Sequence, residues 1–261
     1  MKIKKGIKAI RLFIFGFLIQ LHLQYSQAQE FIIGVEDIAY YPLFDFNSNR
    51  NTHTTELLNK FAASKGYKFI YLPLPIKRFD KWLLEERIDF KYPDNSRWYP
   101  DPSLREKFTF SNSTLKLIAG TTVLKSFLKK NKSEFKSLGT LLGFYPTNWI
   151  EQIKNGQVEL LEDSSTKILV QQLIDGYVDG INIEPSVIHH YLRELGKLSE
   201  IAILDKRYKH DVYDFHFSTI KHPEIIKEFD TFLSTNNIFL EELNAKYNII
   251  DYEPYLNSPL F

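Results

Sequence analysis

Apolar positions along the chain come in short continuous runs and in one-sided helical stripes, and the two kinds of pattern alternate. Phe31-Ile32-Ile33-Gly34-Val35 is a run closed by polar residues, which predicts a buried strand, followed by a loop over residues 36–50. From Thr54 to Ser64, Leu57, Leu58 and Phe61 fall on one helical face, with Thr54 as the expected cap and Gly66 as the stop. Lys68 to Leu72 predicts a second strand. Lys77 to Arg87 predicts a helix with Phe79, Trp82 and Leu83 inward, and Ile88 to Tyr92 a third strand. Strands alternating with helices predict a parallel sheet with right-handed crossovers.

The pattern then restarts. Leu115 to Leu124 reads as one extended segment, followed by a basic stretch from Lys125 to Lys136 that suits a solvated face or an interlobe surface. Strands are expected at Leu141–Phe144, Val158–Leu161, Gly180–Ile183 and Glu200–Leu204. Helices are expected at Thr147–Asn155, Ser165–Gly176 (with Ile168, Leu169, Leu173 and Ile174 on one side) and Glu184–Leu195. A strand from Val212 to Thr219 and a long helical region from Pro223 to about Tyr247 remain. Two α/β units of similar size therefore stand in tandem, with a strand and helix left over.

The start of the chain has a different pattern. Lys2, Lys4, Lys5, Lys8 and Arg11 precede an apolar run from Leu12 to about Leu23, and Ser26 and Ala28 supply small residues at a cleavage site. This is the layout of a secretory signal peptide over residues 1–28. The run contains Gln20 and His22 and is shorter than the ~20 apolar residues of a spanning helix. Removing it leaves 28 Lys+Arg against 32 Asp+Glu, a mildly acidic balance that argues against a nucleic-acid partner. The absence of cysteine excludes disulfides and a lipid-modified N-terminal cysteine, so a freely diffusing periplasmic protein is expected. The 21 Phe and 15 Tyr are a high aromatic share, part of it core, and a ring- or sugar-binding cleft would draw on the same residues.

Several short motifs stand at family-like places: Val35 with Tyr41-Pro42-Leu43-Phe44, Arg87-Ile88-Asp89, Phe110-Ser111, Gly176-Tyr177-Val178-Asp179 with Glu184, Tyr191-Leu192 and Lys246-Tyr247. Their order resembles the type 2 periplasmic solute-binding proteins, specifically the family-3 group that includes polar amino-acid receptors of ABC importers. The resemblance covers nearly all of the chain after the signal. It implies two α/β lobes joined by two crossing strands, residues 29–113 and 209–261 forming lobe 1 and residues 114–208 lobe 2. It further implies a monomer that closes on a small polar ligand and presents it to a membrane permease or a sensor.

Candidate ligand contacts follow from where these residues fall. Asp94, Asn95, Arg97 and Trp98 come directly after the third strand and offer a carboxylate, an amide, a guanidinium and an aromatic face. The family's carboxylate-gripping arginine lies six residues before the Phe-Ser pair. Arg105 precedes Phe110 by five, and Arg97 competes for the role. Glu184 stands where the resemblance places an acidic partner for a ligand ammonium. Thr147 begins a lobe-2 helix and stands with Tyr145 as a wall of the cleft, and Tyr40 and Tyr41 are candidate cleft aromatics. His189 and His190 are neighbours on a helix and point about 100° apart, which does not suit a shared metal. No metal or cofactor is implied, and no nucleophile elbow, phosphate-cradling glycine loop or HExxH motif occurs. The expectation is a binding protein. The alternatives are a dehydratase-like lyase on the same fold, using Glu184 or Asp94 as acid or base, and a receptor feeding a signalling partner.

Overall fold

The computed structural model describes residues 28–85 and 87–258, so the expected signal, apart from Ala28, lies outside the described residues. The chain begins with β1 (Gln29–Glu36), the ribbon β2 (Ala39–Tyr40) and β3 (Phe44–Asp45), helix α1 (His53–Lys65) and β4 (Tyr67–Leu74). Helix α1 is capped two residues earlier than expected: the Thr52 hydroxyl accepts from the Thr55 amide and the Thr55 hydroxyl accepts from the Thr52 amide. Thr54 is instead buried. Gly66 ends the helix at φ +70°, a left-handed conformation that glycine adopts without steric penalty. Leu57, Leu58 and Phe61 are fully buried, each contributing about 1.5–3 kcal/mol.

The expected helix from Lys77 to Arg87 is broken. A 3-10 turn over Ile76–Lys81 with a non-helical Arg78 precedes the single turn α2 (Trp82–Glu85). Trp82 is fully buried and its indole N–H donates to the Pro75 carbonyl at 3.2 Å, which fixes that tight entry. Then come β5 (Phe90–Asp94), α3 (Pro102–Arg105), β6 (Thr109–Phe110), β7 (Leu115–Ala119) and β8 (Thr122–Leu124). The extended run from Leu115 to Leu124 is thus two strands parted at Gly120-Thr121, and they belong to different sheets.

Lobe 2 continues with β9 (Ser137–Leu141), α4 (Ile150–Lys154), β10 (Glu159–Asp163), α5 (Thr166–Asp175), β11 (Gly180–Ile181), α6 (Pro185–Glu194) and β12 (Ala202–Leu204). Strand β9 lies four residues before the expected position, because Leu138 to Leu141 are buried whereas Leu142 is exposed and the chain turns at Gly143. Ser165 caps α5 and Gly176 ends it at φ +77°; Leu169, Val170 and Leu173 face inward, but Ile168 is exposed. The chain returns through β13 (Asp211–Thr219), α7 (Pro223–Thr235), α8 (Asn237–Lys246) and α9 (Tyr252–Asn257), the expected single C-terminal helix being interrupted at Asn236.

The first sheet has the order β4-β1-β5-β13-β6, and the second β10-β9-β11-β8-β12. Strand β1 pairs in parallel with β4 and β5, as the alternation of strands and helices predicts. Strand β13 runs antiparallel: its first half pairs with β7 and its second half with β5 and β6. The β7–β13 pair is the double crossing between lobes. In lobe 2, Trp149 stacks on Phe135 (4.6 Å, 21°) and donates to the Thr121 hydroxyl at 2.7 Å. Helix α8 is tied to α1, with His53 Nε2 and Asn244 Oδ1 2.9 Å apart and the Tyr247 hydroxyl donating to Glu56. Beyond it the chain reaches lobe 2, where Ile250 N–H donates to Ser186 Oγ and the Tyr255 hydroxyl accepts from the Leu204 amide.

Candidate ligand-binding cleft

Between the two sheets lies a cleft of about 780 Å³. Its floor is the β7–β13 crossing, represented by Ile118, Ala119, Asp211, Tyr213 and Phe215; one wall carries Glu36, Tyr40, Phe79, Arg97 and Trp98, and the other Phe144, Tyr145, Thr147, Asn182 and Glu184. Glu36 is the last residue of β1, and Asn182 follows β11, so the cleft sits at the carboxyl ends of parallel strands. Open α/β sheets place ligands there.

The lobes touch across the cleft. The Tyr40 hydroxyl accepts from the Glu184 amide at 2.9 Å, its ring meets Phe144 edge-on at 5.6 Å, and the Thr166 hydroxyl donates to the Ala39 carbonyl at 2.9 Å. Burial holds the Tyr40 phenol well above its usual range. Glu184 is only 2% exposed and caps α6, accepting from the Ser186 amide, the Ser186 hydroxyl and the Val187 amide at 2.6, 3.1 and 3.2 Å. Burial pushes its carboxyl up to about 7, against those hydrogen bonds, which favour the ionised form.

Arg97 lines the cleft, but its guanidinium is paired with the Asp211 carboxylate and donates to the Val212 carbonyl at 3.2 Å. The hydrogen bond from Arg97 holds Asp211 below the usual carboxylate range. Trp98 packs edge-on against Phe79 (5.1 Å) and Phe215 (6.2 Å). Tyr145, 69% exposed, stands at the mouth beside Thr147.

Six of the ten sequence candidates therefore meet at one cleft: Tyr40, Arg97, Trp98, Tyr145, Thr147 and Glu184. The other four do not line it. Tyr41 packs against His190 at 4.3 Å with the Arg50 guanidinium 3.8 Å from its ring centre. Asp94 is fully buried behind the wall, accepting from the hydroxyls of Tyr99 and Ser218 and from the Asn95 amide, 3.5 Å from the equally buried Lys91 ammonium. Asn95 spends its side chain on backbone, accepting from the Arg97 amide and donating to the Asp214 carbonyl. Arg105 is exposed at the end of α3.

The residue that sequence reasoning missed is Glu36. It is 6% exposed, lines the cleft, and has no hydrogen bond or ion pair among the described residues. Burial pushes its carboxyl up to about 8; the Lys91 charge opposes that rise and the Asp94 charge adds to it. The available signal was position, an acid closing an otherwise apolar strand. Lys91 sends hydrogen bonds to the Phe79 carbonyl (2.8 Å) and the Tyr99 hydroxyl, with its ammonium 3.0 Å from the Phe79 ring centre.

This architecture, two α/β lobes around a cleft and a double crossing, is the type 2 periplasmic binding-protein fold. No family model and no curated protein matches the chain. Solved structures do. A substrate-binding protein of an ABC uptake transporter from Streptococcus pneumoniae, with bound histidine, matches 84% of this chain and 92% of its own at 17% identity and a TM-score of 0.63. The GluR0 ligand-binding core in complex with L-glutamate matches over 85% and 99% at 11% identity and a TM-score of 0.65. An ancestral amino-acid-binding protein, a precursor of cyclohexadienyl dehydratase, matches over 84% and 95% at 18% identity and a TM-score of 0.60. At such identities the likeness is one of fold.

Proposed function

We propose that the protein is a periplasmic solute-binding protein that captures a small polar ligand, an amino acid or a related molecule, between its lobes and presents it to the membrane permease of an ABC importer. The observation that carries this reading is the cleft itself, walled by both lobes at strand carboxyl ends and bridged by the Tyr40–Glu184 hydrogen bond. A ligand touching both walls favours the closed arrangement by its differential affinity for that state. The basic, apolar and small-residue pattern of residues 1–28 supports export. Structural neighbours solved with histidine, L-glutamate, arginine and glutamine support a ligand of amino-acid size.

A thermal-shift screen of the chain from Gln29 onward against amino acids, organic acids, amines, sugars and nucleosides tests this reading, since a ligand of the native state raises the melting temperature. A hit recovered unchanged supports a binding protein. A hit converted to product moves the protein to the lyase reading, which the dehydratase-precursor neighbour and the near-neutral Glu184 carboxyl favour. Arg97→Ala, compared with Arg105→Ala, reports whether either guanidinium holds a ligand anion.

A further inference from the structure

We propose that the cleft takes an organic ammonium ion lacking a carboxylate, a simple amine rather than a zwitterionic amino acid, with Glu36 as its counter-charge and aromatic rings around its body. This rests on the binding-protein reading above and names the ligand class for the same cleft.

The first ground is Glu36. A carboxyl removed from water without a hydrogen-bond partner is destabilised until something supplies one. Nothing among the described residues does: the Lys91 ammonium behind it lies 3.5 Å from Asp94 and donates to the Phe79 carbonyl and the Tyr99 hydroxyl, not to Glu36. Glu36 is therefore a buried carboxyl that lines the cleft with neither a donor nor a paired counter-charge of its own among the described residues. An ammonium group brings both the missing charge and the missing donors. Glu184, whose oxygens already accept from the start of α6, needs neither.

The second ground is the lack of a buried anion site in the cleft among the described residues. Arg97, where a carboxylate would be gripped, has its guanidinium directed to Asp211 and Val212. Arg105 does not line the cleft. Lys209 is exposed at the rim, where its charge helps to hold the Asp211 carboxyl low. A ligand carboxylate would have to compete with Asp211 for Arg97, inside a cleft whose buried ionisable carboxyls, Glu36 and Glu184, would both repel it once ionised.

The third ground is the wall. Tyr40, Phe44, Phe215, Trp98 and Phe79 form an unbroken series of ring contacts at 5.3, 6.2, 6.2 and 5.1 Å, and Tyr213 joins it at Phe215, 5.7 Å away. All six line the cleft. Aromatic faces attract cations and pack against an apolar or ring-bearing body, and they offer nothing to a carboxylate.

The test is isothermal titration of the chain from Gln29 onward with matched pairs: tyramine and tyrosine, histamine and histidine, agmatine and arginine, cadaverine and lysine. The expected result is that at least one amine binds about tenfold or more tightly than its parent amino acid, and that Glu36→Gln weakens that amine by a similar factor, as loss of a charged hydrogen bond does. An amino acid that binds as tightly as its amine overturns the inference and leaves the binding-protein reading standing. Amine binding unchanged in a folded Glu36→Gln variant also overturns it. Should no member of either set bind, both the inference and the amino-acid-related reading of the cleft fall. The wild-type comparison within each pair needs no variant to fold.

Discussion

Replacing Glu36 by Gln removes a buried ionisable carboxyl and keeps the shape of the side chain, and its effect on stability is calculable against pH. In the unfolded chain the carboxyl titrates near 4.5; in the folded protein burial raises it to about 8. Below pH 4.5 both states hold the proton and the group contributes nothing to the pH dependence. Between 4.5 and about 8 the unfolded chain releases the proton while the folded chain keeps it, so folding stability falls as pH rises, by ~1.4 kcal/mol per pH unit. Above about 8 both states are ionised and the loss is complete, at about 5 kcal/mol in all. Glutamine carries no titration, so Glu36→Gln should match the wild type near pH 4.5 and exceed it by several kcal/mol at pH 9. Glu184, raised in the same direction, is common to both proteins and cancels. Urea unfolding at pH 4.5, 7 and 9, followed by tryptophan fluorescence, measures the difference directly. A stability difference that stays constant across that range would refute the claim that Glu36 is an unpaired, desolvated carboxyl.

Three further outcomes are expected. Tyr40→Phe leaves the Glu184 amide without its acceptor at the lobe contact, costing about 1–3 kcal/mol and speeding hydrogen exchange at that amide; unchanged exchange would show that the contact does not hold the lobes. Lys91→Met strands the fully buried Asp94 carboxylate and should destabilise lobe 1 by about 3–5 kcal/mol in chemical denaturation. Gly180→Ala would place a methyl 2.9 Å from both Phe135 and Thr121 side-chain carbons and 3.1 Å from the Thr122 carbonyl oxygen. That crowding should cost lobe 2 about 1–3 kcal/mol in the same assay, and a neutral result would mean the β8–β11 spacing gives way easily.

Local signals set much of the fold. Gly66 and Gly176 end their helices at positive φ, and Ser165 caps α5, because capping chemistry acts over three or four residues and leaves a readable trace. Strand β9 was misplaced for a different reason. Leu141-Leu142-Gly143-Phe144 is as apolar as a strand, yet Leu142 is exposed and Phe144 lines the cleft. Apolar periodicity does not separate a residue that packs a core from one that walls a ligand site. The same limit governs Tyr40 and Tyr41: Tyr40 ends β2 and faces the cleft, whereas Tyr41 opens the following turn and packs on His190. Arg97 was legible as a cleft residue, but its partner Asp211 is 114 positions away and no local pattern joins them. Lys91 sits mid-strand without a sequence cue that Asp94, Tyr99 and Phe79 would enclose it.

The route of the chain also sets an order of assembly. Every strand of the second sheet lies between Thr122 and Leu204, a contiguous stretch. In the first sheet β13 stands between β5 and β6, and it comes from residues 211–219. A chain emerging N-terminus first thus holds every strand of the later lobe's sheet while the earlier one still has an open flank at β5. An unpaired strand edge is a template for wrong partners. Premature termination before Asp211 would therefore release a complete second sheet tethered to a half-built, adhesive lobe 1, the kind of product that quality-control proteases and chaperones must intercept.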